Sequence, residues 1–195
     1  MPSEFLVYLR LGFEHISDLK GYDHILFIVA LCAVYRFKAW RHLLWLVTAF
    51  TVGHSVTLAL ATLRLVTIDS ALVEVLIPVT IFLTSLIDIA APAEEQQVKA
   101  ARYKYGLALG FGLIHGLGFS NFLRAVLGGE ESIVLPLFSF NVGLELGQIA
   151  IVFAVLTLSA VMVGFVKMKA RDWILVLSGA TAGISLLMIL ERLTT

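Results

Sequence analysis

The sequence predicts an all-α integral membrane protein: a six-transmembrane-helix bundle over 21–195, preceded by a short amphipathic interfacial helix over 1–20. Three observations carry that prediction. Of 195 residues, 59% are hydrophobic and 14% charged, and mean hydropathy is +0.96; an ordinary soluble domain is roughly 45–50% apolar and roughly 25% charged. The apolar residues fall into six blocks of the length needed to cross a hydrocarbon core of about 30 Å, about 20 residues each. The basic residues alternate between heavily and lightly charged connections, as they do in multi-pass proteins. The same numbers exclude other classes. Fourteen Lys+Arg balance 14 Asp+Glu, so there is no basic excess to neutralise nucleic-acid phosphates. The low hydrophobicity of disordered chains is absent, as are the ten-residue alternating segments of a β-barrel. The single cysteine, Cys32, cannot form an internal disulfide.

Taken in order, residues 1–20 place Phe5, Tyr8, Leu9, Gly12, Phe13, Ile16 and Leu19 at helical spacing, with Arg10, Glu14, Asp18 and Lys20 between them. That pattern fits a helix lying at the membrane surface, and His15 on it is expected to be solvated, where it could help capture metal from outside. It lacks the basic start and long apolar core of a secretory signal. The spans follow at 22–36, 43–64, 71–89, 104–127, 133–163 and 172–191. The first is short. The fifth is too long for one straight crossing and is expected to tilt or break near Gly143 or Gly147. Arg36, Lys38, Arg41, Lys99, Arg102, Lys104, Lys167, Lys169 and Arg171 fall on one side, and Arg10, Lys20, Arg64, Arg124 and Arg192 on the other. The positive-inside rule then puts both termini outside the cytoplasm. His42 and the stretch Pro92–Gln97 read as solvated loop.

Small-residue motifs mark helix contacts. Gly106-x-x-x-Gly110, Gly112-x-x-x-Gly116, Gly143-x-x-x-Gly147 and Gly179-x-x-x-Gly183 line one face of spans four, five and six. Lipid gives helices no hydrophobic reason to associate, so glycine faces that allow close backbone approach are favoured. They suggest that spans four and five touch, and they serve contacts within the chain or in a homo-oligomer equally well.

Ionisable groups at membrane depth cost about 2.5–3.5 kcal/mol each on insertion scales, and they normally face the bundle interior. Span one opens with Asp23-His24. Span two carries Thr48, Thr51, His54, Ser55 and Thr57; span four carries His115 and Asn121; span five carries Asn141, Glu145 and Gln148. Thr51, His54 and Ser55 share a helix face, as do Gly112, His115 and Gly116, and as do Asn141, Glu145 and Gln148. At about 1.5 Å rise per residue, His54, His115 and Glu145 fall near one level, with Asp23 and His24 somewhat outside it. Three imidazoles and two carboxylates converging in low dielectric suit a divalent transition metal such as zinc, nickel, cobalt or iron(II), rather than the oxygen shells of calcium or magnesium. The candidate ligands are Asp23, His24, His54, His115 and Glu145, with Ser55, Asn141 and Gln148 behind them. A hydrogen-bonded proton relay is the metal-free alternative. In span three, Glu74 near the outer end, Pro78, and Thr80, Thr84 and Asp88 at successive turns outline a path inward.

Gly21-Tyr-Asp-His-Ile-Leu-Phe27, Thr48-Ala-Phe-Thr-Val-Gly-His-Ser-Val-Thr-Leu58, Phe111-Gly-Leu-Ile-His-Gly-Leu-Gly-Phe119 and Phe140-Asn-Val-Gly-Leu-Glu-Leu-Gly-Gln148 resemble the HupE/UreJ membrane proteins, specifically their second subgroup. The resemblance runs from about residue 10 to the end, and Glu74-x-x-Ile77 also fits. It implies a multi-pass protein of the bacterial inner membrane, linked to hydrogenase and urease accessory systems and to nickel or cobalt uptake. Many members of this subgroup carry a large extracytoplasmic domain ahead of the membrane part. Three functions compete: a permease for nickel, cobalt or zinc; a zinc-dependent intramembrane hydrolase using Asp23, Ser55 and Glu145; and a non-transporting metal sensor or accessory protein. No G-x-x-x-x-G-K-[ST] is present, so a permease would not draw on a P-loop.

Overall fold

Glycine and apolar side chains decide which helices touch. The computed structural model describes residues 3–90, 101–127 and 132–194, and every regular element among them is helical. These are α1 (Glu4–Ser17), α2 (Asp23–Cys32), α3 (Trp40–Thr62), α4 (Ser70–Ala90), α5 (Ala101–Leu127), α6 (Val134–Ala160) and α7 (Ala170–Thr194). A 3-10 turn over Phe37–Ala39 leads into α3, and a π turn over Val161–Phe165 closes α6. The predicted connector 92–97 and Lys99 lie outside the described residues, as do the side chains of Arg102, Asn121 and Arg124.

Among the described residues, four segments are long and apolar enough to cross a membrane: Phe37–Thr62, Ser70–Ala90, Val134–Phe165 and Ala170–Thr194. They cover the predicted second, third, fifth and sixth spans, and α5 covers the fourth. Trp45, Phe138, Phe153, Phe165 and Leu187 stand exposed on the outer surface, as suits a bundle bathed in lipid. The predicted first span is corrected. Only the ten residues of α2 are helical, about 15 Å at 1.5 Å per residue, or half a crossing. Its helix ends are tolerable at depth because α4, α6 and α7 surround it.

The main packing pairs are α3 with α5, α1 with α6 and α4 with α7. In the first, a Cβ on Gly53 would strike the Leu109 carbonyl, and Cβ atoms on Gly112 and Gly116 would strike the carbonyls of Phe50 and His54. In the second, Gly12 meets the Phe140 carbonyl, Gly143 the Leu9 carbonyl and Gly147 the Ile16 side chain. Three expectations change as a result. The glycine faces of spans four and five meet α3 and α1, not each other. α6 stays helical through Gly143 and Gly147, because α1 fills the space those glycines leave. The apolar stripe of α1, with Tyr8, Gly12 and Ile16 buried, is covered by α6 and does not lie free at a surface. Cβ atoms on Gly106, Gly110, Gly179 and Gly183 would meet nothing within 4 Å.

These contacts separate two kinds of glycine. Gly143→Ala should lower the thermal midpoint of the detergent-solubilised protein, since overpacking typically costs about 1–3 kcal/mol. Gly183→Ala should leave it unchanged or slightly raised, because alanine is the better helix former.

Candidate metal centre

Four helices each deliver one imidazole to the bundle interior. His15 comes from the last turn of α1, His24 from the first turn of α2, His54 from the middle of α3 and His115 from the middle of α5. The backbone contact between Gly116 and His54 holds the last two at one level. One ring nitrogen from each of His15, His24 and His54 lies within 4.8 Å of the others. The His115 ring sits edge-on to His24, with centroids 5.1 Å apart. His24, His54 and His115 are buried and His15 is half-buried. Rings of Phe27, Phe50, Phe119 and Phe140 wall the cluster, which keeps its dielectric low.

Hydrogen bonding fixes one tautomer. His24 Nδ1 lies 2.9 Å from Asp23 Oδ1, and a carboxylate only accepts, so Nδ1 carries a proton and in the neutral ring Nε2 is the nitrogen with the lone pair. The same carboxylate also accepts the backbone N–H of His24 at 2.8 Å. A carboxylate holding the far nitrogen of an imidazole is the usual arrangement behind a metal-bound histidine. Among the described residues, His15 Nε2, His24 Nε2, both ring nitrogens of His54 and His115 Nδ1 are buried without a hydrogen-bond partner. Each such group costs about 1–3 kcal/mol if nothing meets it. Two imidazoles on one tetrahedral ion stand about 3.4 Å apart for bonds of about 2.0–2.1 Å, so a spread of 4.8 Å needs only a small inward rotation. The donor set fits a borderline transition metal.

The other predicted residues are distributed elsewhere. Glu145 Oε1 accepts the Thr48 hydroxyl at 2.6 Å, and Gln148 Oε1 accepts the Thr51 hydroxyl at 2.8 Å. These two bonds zip α6 to α3, and Glu145 is not one of the three residues in the 4.8 Å group. Ser55 donates to the Thr51 carbonyl at 2.6 Å, and the Asn141 amide to the Leu137 carbonyl at 2.7 Å. Thr80 donates to the Ile77 carbonyl at 2.7 Å, and its oxygen lies 3.5 Å from His115 Nε2. Thr84 donates to the Thr80 carbonyl and lines a cavity of about 20 Å³ with Phe27, Asp88, Lys104 and Phe111. Glu74 is exposed and pairs with Arg192 at 2.7 Å.

Lys104, which opens the predicted fourth span, is buried, 3.3 Å from Asp88 Oδ1 and over the Tyr35 ring. Arg171 joins it at this end by donating to the carbonyls of Asp88 and Ile89. One sequence expectation needs correction: His15 is half-buried and not fully solvated, because α6 draws α1 into the bundle. The sequence did hold a signal for it: Gly12, His15 and Ile16 fall at i, i+3 and i+4, which puts the imidazole on the apolar face.

A family model described as HupE / UreJ protein matches residues 1–192. No curated protein and no solved structure matches the chain.

The α3–α6 zip can be tested without any ligand. Thr51→Val strands a buried amide oxygen and should cost about 1–3 kcal/mol, whereas adding Gln148→Leu should recover most of it. Thermal unfolding of the single and double variants in detergent measures the difference.

Proposed function

The chain belongs to the HupE/UreJ family, and from that premise we propose that it is a permease of the bacterial inner membrane for a divalent transition metal: nickel or cobalt, or zinc. The observation that carries the reading is the set of buried, unpartnered nitrogens on four converging imidazoles. A soft-to-borderline cation can take one nitrogen from each ring, and among the described residues the Thr80 oxygen lies 3.5 Å from His115 Nε2, leaving His115 Nδ1 for the cluster. In this reading His15, His24, His54 and His115 hold the ion, and Asp23 orients His24 and offsets part of its charge. In this reading the chain crosses the membrane six times, with α2 supplying half of the first crossing and residues 33–36 the rest, and both termini lie outside. The ion leaves past Thr80 and Thr84 to Asp88, where the Lys104 ammonium must give way.

A zinc hydrolase is less well supported, because the Ser55 hydroxyl is committed to the Thr51 carbonyl and Glu145 to Thr48. A sensor or accessory role shares the same centre and differs only in carrying no flux.

Purified protein should bind about one cobalt or nickel ion per chain, and His54→Ala should abolish that binding in a titration. Asp23→Asn should weaken affinity by about 10–100-fold, the usual effect of losing a carboxylate behind a metal-bound histidine. Binding should also fall on acidification, because imidazole must be deprotonated to ligate. Proteoliposomes loaded with a metal-sensitive dye separate the functions. Flux in the wild type and none in His54→Ala supports a permease; binding without flux supports a sensor; no metal at all overturns both.

A further inference from the structure

We propose that the cation reaches this centre through the cavity at the C-terminal end of α1, where His15 is the exchangeable ligand that receives it and Phe119 is the ring that closes over it. This inference rests on the metal-permease reading and names its way in. The cavity holds about 660 Å³ and is lined by Glu14, His15, Ser17, Asp18, Lys20 and Phe119 among others. His24, His54 and His115 are buried, whereas His15 both lines that cavity and belongs to the 4.8 Å group. It is therefore the imidazole that can meet a hydrated ion on one side and the buried pair on the other.

The rest of the mouth fits a stepwise exchange of ligands. Asp18 offers a carboxylate whose Oδ1 also accepts the Lys20 backbone N–H at 2.9 Å, and Glu14 is tied to the exposed Arg10 at 2.7 Å. The formal charges of Glu14 and Asp18 are balanced by those of Arg10 and Lys20, so the mouth has no excess of charge with which to draw in every cation. It selects by replacing water with oxygen and then with nitrogen, which favours ions that prefer imidazole. The Phe119 ring lies over His15, with centroids 3.8 Å apart, and stacks on Phe140 at 5.3 Å. A cation bound to the His15 nitrogen must pass the edge of that ring. The predicted way in past Glu74 starts instead at an ion pair between α4 and α7.

The test is stopped-flow binding of cobalt to the full-length protein in detergent, read from its visible absorption, together with external labelling of cells. His15→Ala should bind cobalt more weakly, through the remaining histidines. Its association should be slower by about an order of magnitude, as when binding must wait for a conformational opening. Phe119→Ala should speed association and dissociation together and leave the affinity nearly unchanged. Ser17→Cys should react from outside with a membrane-impermeant maleimide, and cobalt should slow that reaction. The native Cys32 is buried and gives little background. Wild-type rates in both the His15 and Phe119 variants, or labelling of Ser17→Cys that ignores cobalt, would overturn the mouth while leaving the permease intact. A wild type that binds no cobalt would overturn both, so the two failures are distinguishable.

Discussion

Backbone-to-backbone contact through glycine is the constraint on which the rest of this bundle depends. Lipid tails are as apolar as leucine, so helices in a bilayer gain little by hiding apolar side chains from it and must gain from dense packing. Gly53, Gly112 and Gly116 remove the side chains that would hold α3 and α5 apart. One of these approaches falls where each helix carries its histidine: the carbonyl that Gly116 accommodates belongs to His54, and His115 precedes Gly116. A bulkier residue at these glycines would push the two imidazoles apart as well as weaken the packing. Gly12, Gly143 and Gly147 do the same for α1 and α6 and bring in His15. Packing and site share one cause.

Around that scaffold nearly every hydroxyl has a specified partner. Thr48 and Thr51 reach across to Glu145 and Gln148, Ser85 and Thr181 meet between α4 and α7, and Trp173 bonds Ser159. Others bond back to their own helix, as Ser55, Thr84 and Ser185 do. In a medium without water to compensate, this is expected. The imidazoles depart from it. Five of their nitrogens are buried without a hydrogen-bond partner among the described residues, a concentration of unmet polar atoms in one place. Asp23 sharpens the contrast, since its one strong side-chain contact turns His24 to present a lone pair inward.

Much of this was legible in the sequence, within a definite limit. Periodicity fixes which face of a helix is apolar or polar, and that sufficed for the four long apolar segments and for setting His24, His54 and His115 inward. It does not say which helix that face meets. The glycines of spans four and five were visible, but their partners were not: a small residue is complementary to any backbone, whereas α1 and α3 are chosen by the whole bundle. The same gap affected Glu145, whose stripe with Gln148 faces the α3 threonines, and Lys104, whose loop-like position conceals a buried pair with Asp88. The length of α2 was hidden for another reason. Apolar residues continue through Ala33-Val34-Tyr35, but these form a turn that leaves the α-helical ladder for shorter-range bonds, Ala33 N–H to the Ala30 carbonyl at 3.2 Å and Tyr35 N–H to the Cys32 carbonyl at 2.9 Å.

His15 shows how two readings of one residue can both hold. Its helix is amphipathic because one side faces α6 and the other carries Arg10 and Glu14 outward, so a residue on the boundary of the stripe meets both environments. That boundary is where an exchangeable ligand belongs. The charge of the cluster points the same way. Neutral imidazoles bring no negative charge, and the one carboxylate bound to the set, Asp23, acts through His24. A divalent ion there would remain partly uncompensated in a medium that screens poorly. Such a centre holds its ion by directional lone pairs and not by charge, and is weaker than one built from thiolates or several carboxylates. A structural site would be poorly served by that weakness. A site that must release its ion to another ligand requires it.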